Sequence, residues 1–171
     1  MRNMMNILIK MDRIVFAALK VLTIVLFILL SLLITANVVV RFVPVVSLHW
    51  FDEIVEMLYA YLIFYGAAVL WITREHFSIG DWIGTRVLKG SRARYVYRAV
   101  VEVLVLIFTI IFFYYSLRLT VLALDVTNVF AIPKRILYSC MPVAGAIMLI
   151  YSIRNIVVEV IRIGKPREGD A

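Results

Sequence analysis

Four stretches of the chain lack the polar punctuation found everywhere else in it. Residues 21–40, 57–73, 103–117 and 136–153 are uncharged and almost wholly apolar, and the third runs on past Arg118 to residue 124. Each approaches the roughly 20 helical residues that cross a bilayer's hydrocarbon core. None alternates polar and apolar positions as a barrel strand would, and a backbone in lipid must satisfy its own hydrogen bonds. The pattern therefore predicts an all-α integral membrane protein with four transmembrane helices, at about 21–40, 54–73, 100–124 and 136–153. Two further segments carry a helical period of mixed character. Met4, Ile7, Leu8, Met11, Ile14, Val15 and Ala18 recur on one side, with Asn6, Lys10, Arg13 and Lys20 mostly elsewhere. Ile79, Trp82, Ile83 and Val87 share a face opposite Asp81, Arg86 and Lys89. Both read as amphipathic helices lying in the cytoplasmic interface, the first turning into the membrane near residue 20. The connections are short and no low-complexity linker divides the chain. The expected organisation is one four-helix membrane domain over 1–163 and a short polar cytoplasmic tail over 164–171.

Composition strengthens this reading. Hydrophobic residues make up 64% of the chain and the mean hydropathy is +1.01, above the 45–50% apolar content usual for soluble domains. The 18 Lys and Arg residues are unevenly shared. Fourteen lie before the first span, between the second and third, or after the fourth, and four (Arg41, Arg118, Lys134, Arg135) lie on the other side. The positive-inside rule then puts both termini and the central connection in the cytoplasm. The net charge of +7 sits beside span ends, where anionic headgroups and topology account for it, and no nucleic-acid-binding motif accompanies it. The first apolar run has 20 residues, beyond the 7–15 of a signal-peptide core, and is expected to be an uncleaved anchor. The single cysteine, Cys140, excludes an internal disulfide or a multi-cysteine metal site and suits packing as a small apolar residue.

Candidate chemistry gathers at the ends of the second span. Asp52, Glu53 and Glu56 fall in its first turns, where the helix dipole favours carboxylates, yet they crowd one another at i,i+3 and i,i+4 spacing and call for a cation. Arg118, about two turns below the outer end of the third span, is the internal candidate. Its alternatives are an ion pair within the chain or with another subunit, snorkelling to the interface, and a transported-ion site. His49 with these carboxylates forms no assured metal set. His76 lies at the opposite face, which rules out a bis-histidine haem site in one subunit. There is no nucleophile–base pairing and no phosphate loop, so the chain is not expected to be an enzyme or to carry a cofactor. Arg74 and His76 end the second span either as headgroup anchors or as partner contacts. Gly66 and Gly145 fall near the midpoints of their runs, among alanines that allow helices to approach closely.

The order Trp50-x-Asp52-Glu53, then Phe64-Tyr65-Gly66-Ala67-Ala68, then Arg74-x-His76-Phe77-Ser78-Ile79 resembles the DctQ family, the small membrane subunits of tripartite ATP-independent periplasmic (TRAP) transporters. Thr127-x-x-x-Ala131-Ile132-Pro133, Tyr138, Met141-Pro142 and Gly145 continue the likeness. Glu56 departs from it, since many relatives carry a basic or neutral residue there, and the glycine often found before the histidine is missing. The resemblance implies a subunit without its own substrate site in a prokaryotic inner membrane. Its partners would be a large permease subunit of the DctM type, which moves an organic acid by a sodium-driven elevator motion, and a periplasmic substrate-binding protein. Sodium coupling would then reside in the large subunit. The candidate structural or subunit-interface residues are Trp50, Asp52, Glu53, Glu56, Gly66, Arg74, His76, Arg118, Pro133 and Gly145. This agrees with a chain almost free of ionisable groups in mid-span, where a transporter core would keep polar or broken helices. The competing class is a self-contained homo-oligomeric transporter or channel, for which Ser31, Thr35 and Asn37 supply a thin polar stripe.

Overall fold

The structure, a computed structural model, describes residues 2–42, 50–73 and 91–164. They form five helices: α1 (Arg2–Val40), α2 (Phe51–Thr73), α3 (Ser91–Leu122), the single-turn α4 (Lys134–Tyr138) and α5 (Cys140–Gly164). Four segments are long and apolar enough to cross a membrane: Asp12–Val40, Phe51–Thr73, Ala99–Leu122 and, combining α4 with α5, Lys134–Val157. The number of spans is as the hydropathy pattern predicts.

The turn expected near residue 20 is not there. α1 is unbroken over 39 residues, about 58 Å at the usual rise per residue, because no glycine or proline interrupts it and Ala17, Ala18, Leu19 and Lys20 are strong helix formers. The polar N-terminal stretch and the apolar run are one rod. The second expected interfacial helix, over 77–88, lies outside the described residues.

The helices pack in the order α1, α2, α5, α3, and burial follows from that order. α1 is an outer helix that touches its neighbour along one seam. Phe16, Leu19, Thr23, Leu26, Leu30, Leu33, Asn37 and Val40 are buried or half-buried, at alternating steps of three and four, while most of the residues between them are exposed. That spacing keeps one stripe facing a single partner. α2 is flanked on both sides, and its exposed positions shrink to Asp52, Glu56, Tyr59, Ile63, Leu70 and Thr73. α5 is likewise central. α3 is the other outer helix, with a seam through Glu102, Thr109 and Ser116, all buried. One apolar cluster ties the middle together: Leu19 of α1, Ala68 and Ile72 of α2, and Ala144, Met148 and Tyr151 of α5. Phe64 of α2 stacks on Phe112 of α3 with ring centroids 5.9 Å apart, joining two helices that are not neighbours in this order.

Candidate functional site

Two polar assemblies lie at opposite ends of the helices, with a set of polar contacts between them. The first is built on Glu53. Helical geometry turns Asp52 and Glu56 onto the exposed stripe of α2 and Glu53 off it, towards the connection between α3 and α4. That connection is a short hairpin-like loop. Lys134 donates its backbone N–H to the Asp125 carbonyl at 2.9 Å and Thr127 donates to Ile132 at 2.8 Å, across an antiparallel bridge between Val126 and Pro133. The Thr127 hydroxyl accepts the Ile132 N–H at 2.9 Å. Ala131 takes a left-handed φ of 52° to close the tip, a conformation that costs a non-glycine residue about 1–2 kcal/mol.

The tip leaves two backbone donors pointing at α2, and Glu53 takes both. Its carboxylate accepts the Val129 N–H at 2.9 Å and the Phe130 N–H at 3.3 Å. Glu53, Thr127 and Ile132 line one small cavity beneath the loop. The acidic group at the start of α2 thus engages amides. Arg118 is exposed on α3 and, among the described residues, forms no ion pair with Asp52, Glu53 or Glu56. The internal ion pair considered for it is absent there. Packing explains the difference, because α5 lies between α2 and α3.

Behind the loop the last membrane helix begins with a break at Ser139. Pro142 has no N–H to give to the Tyr138 carbonyl four residues earlier. Neighbouring helices fill the vacancy. The Thr120 hydroxyl of α3, which donates to the Ser116 carbonyl of its own helix at 2.8 Å, shares that hydrogen with the Tyr138 carbonyl at 3.2 Å, and Tyr61 of α2 donates to the Ile136 carbonyl at 2.7 Å while touching the Ser139 hydroxyl at 2.9 Å. Arg135 donates through Nε to the Ala123 carbonyl at 2.8 Å, capping the end of α3. Pro133 is exposed and sits at the N-cap of α4, where its lack of an N–H costs nothing.

The second assembly lies at the far end. Tyr151 of α5 donates its hydroxyl to Asp12 of α1 at 2.5 Å, and Arg154 reaches the same carboxylate oxygen at 3.1 Å. The Arg154 guanidinium also stands 4.5 Å from the centre of the Tyr151 ring. At the same level of α5, Trp71 of α2 donates through Nε1 to the Ser152 hydroxyl at 2.9 Å.

Of the residues singled out in the sequence, Glu53 meets the Thr127–Pro133 segment directly, so two separate motif stretches form one contact. Trp50 is partly exposed and its carbonyl accepts the Ile54 N–H at the start of α2. Gly66 and Gly145 sit at helix contacts of different closeness. A Cβ on Gly66 would lie 3.5 Å from Thr23, ordinary contact, whereas one on Gly145 would lie 3.3 Å from the Phe112 ring. Arg74 and His76 fall outside the described residues. Glu102, Asp12, Tyr151 and Arg154 are the polar groups that sequence reasoning passed over. Glu102 is the legible one, being a carboxylate at the edge of an apolar run.

These features describe a multi-pass helical membrane protein whose polar groups serve mainly to hold helices and one loop together. A family model described as tripartite ATP-independent periplasmic transporters, DctQ component, matches residues 30–162. The chain belongs to that family, and is therefore a transporter component. No curated protein matches the chain.

Proposed function

We propose that this chain is the scaffold subunit of a sodium-driven uptake system for an organic acid in a prokaryotic inner membrane, with both termini cytoplasmic. It works with a large permease subunit of the DctM type and a periplasmic substrate-binding protein. It needs no cofactor, since sodium coupling resides in the large subunit. The family assignment supports this reading, and so does the division of labour among the helices. α2 and α5 are packed from two sides, while α1 and α3 each use one seam inside the chain and keep broad apolar faces outward. Such faces meet lipid or a second membrane protein. The polar contacts fit a rigid brace: Glu53 closes the α3–α4 loop, and Tyr61 and Thr120 cap the broken start of α5. On this reading Trp50, Asp52, Glu53, Glu56, Gly66, Arg74, His76, Arg118, Pro133 and Gly145 stabilise the fold or the subunit contact. The exposed Arg118 is then available to an acidic group of the partner.

Co-reconstitution tests this directly. Proteoliposomes holding the large subunit with this chain, given loaded binding protein and an inward sodium gradient, should accumulate substrate, and those holding the large subunit alone should do so poorly. Full sodium-driven uptake without this chain would refute the scaffold role. Solute flux through liposomes holding this chain alone would favour the self-contained transporter.

A further inference from the structure

α3 and the start of α5 form an open groove of about 350 Å³, within the roughly 300–1,000 Å³ of small-molecule sites. Phe112, Ser116 and Met141, all buried or half-buried, make its floor, and the exposed Phe108, Ile111, Tyr115 and Leu119 make its walls. The small side chain of Ser116 creates the recess. Its hydroxyl donates to the Phe113 carbonyl of its own helix at 3.0 Å, so the floor offers no free hydroxyl. Phe108 and Phe112 stack with ring centroids 6.2 Å apart at the other end.

The depth of the groove in the membrane selects what fits it. From Phe108 to Leu119 the helix rises about 17 Å, and in the candidate span Ala99–Leu122 that stretch begins near the midpoint and ends near the rim. Half of a hydrocarbon core roughly 30 Å thick is about 15 Å. The groove therefore matches the chains of a single leaflet. A membrane helix of another protein would cross both halves, and the groove serves one.

Cations flank the mouth, at the Leu119 end. Arg118 follows Ile111 by seven residues and Tyr115 by three, so it stands beside one wall, one turn short of Leu122. From there a long side chain reaches the headgroup level. Ala123 follows Ser116 by seven and Leu119 by four, beside the other wall, and its carbonyl holds Nε of Arg135 at 2.8 Å. Both arginines are exposed, and among the described residues neither forms an ion pair. Guanidinium groups suit phosphate, which they meet with paired N–H donors. We propose that this groove binds one anionic phospholipid of the phosphatidylglycerol type, with an acyl chain along Phe108–Leu119 and the phosphate between Arg118 and Arg135. In the chain by itself the phosphate meets Arg118, and in an assembled transporter an acidic group of the large subunit competes for it. The site requires only a membrane around α3, whatever the transporter carries.

Native mass spectrometry of the full chain tests it, with the purified protein titrated in detergent with phosphatidylglycerol or with phosphatidylcholine of the same acyl chains. The chain should retain one phosphatidylglycerol and hold it more tightly than phosphatidylcholine. Arg118→Gln and Arg135→Gln should each weaken phosphatidylglycerol roughly fivefold, and together about 25- to 30-fold, the scale of an arginine beside anionic headgroups. The pair should also abolish the preference for phosphatidylglycerol. Leu119→Trp fills the mouth from an exposed position and should weaken both lipids alike. Ile111→Trp, on the same side of the groove's length, serves if Leu119→Trp fails to accumulate. Glycerol 3-phosphate, the headgroup without chains, should not displace the lipid. No retained lipid, lipids held in no fixed number, displacement by glycerol 3-phosphate, or retention unmoved by the arginine pair or by the tryptophan would overturn the proposal. So would a dimer of the chain that excludes lipid and is broken by Leu119→Trp.

Discussion

The two outer helices are held in opposite ways. α1 meets α2 through leucines at alternating steps of three and four, and the glycine at that contact, Gly66, has ordinary room around it. α3 meets α5 through a seam that buries Glu102, Thr109 and Ser116 and that closes tightly at Gly145. In water the first seam would be the stronger, because burying leucine is what drives association there. In lipid the order reverses, since hydrocarbon against hydrocarbon gains little over hydrocarbon against acyl chain, and close approach with interhelical polar contacts decides. α3 with α5 should accordingly be the firmer pair, and α1 the helix whose attachment depends most on its end contact at Asp12.

The contrast is broken most directly at the glycines. Gly145→Val forces a branched side chain against Phe112 and should destabilise the chain by about 1–3 kcal/mol, the usual cost of overpacking. Gly66→Ala should be neutral, or stabilising by up to about 1 kcal/mol through helix propensity. Denaturant titration of the purified protein in detergent distinguishes them, and equal losses at the two positions would erase the difference in closeness. Ser152→Ala removes the acceptor of the Trp71 indole and should cost on the order of 0.6–1.7 kcal/mol, the scale of interhelical bonds in membranes. Loss of the red-edge shift of Trp71 fluorescence, read against a variant lacking the other two tryptophans, would accompany it.

At the loop, Glu53→Ala should speed amide exchange at Val129 and Phe130 while leaving Ala68 and Met148 protected. Glu53→Gln, which retains one acceptor oxygen, should fall between wild type and Glu53→Ala. If Glu53→Ala leaves loop exchange as it was, Glu53 is not what holds the tip. The smallest effect belongs to Asp12→Asn. Asp12 and Arg154 are each more than two-fifths exposed, so solvent screening limits the charge contribution to no more than about 1 kcal/mol, and it should shrink further in high salt. Its signature is positional. A spin label near the start of α1 should move further from one on α5, with α2 and α5 unmoved.

Much of this architecture is written into residue order, for reasons that need no tertiary contact. A helix in lipid is compelled by backbone hydrogen bonding, so four long apolar runs dictate four helices. The run of helix formers from residue 17 to 20 also made α1 continuous, but the amphipathic period of residues 4–20 pointed to a turn, because one-sided polarity marks an interfacial helix only when something breaks the rod that follows. The site was half visible. Glu53 and the Thr127–Pro133 segment each stand out as patterned residues, yet their meeting could not be read from spacing, since 76 positions separate Glu53 from Val129. Like charges at Asp52, Glu53 and Glu56 called for a cation, whereas the fold supplies amides to one of the three and open surroundings to the others. Pro142 reads only as part of the family pattern, and the fold shows that Thr120 comes within reach of the Tyr138 carbonyl that it leaves without a helical partner.

Sequence alone determined the solvent, the number of membrane spans and the family, because each depends on local composition or on motifs preserved in order along the chain. The neighbour of each helix, the partner of each buried polar group and the register of α3 on α5 were decided only in three dimensions. Those properties arise where side chains far apart in the chain are brought to the same depth, and an apolar helix carries no local mark of the face it will hide.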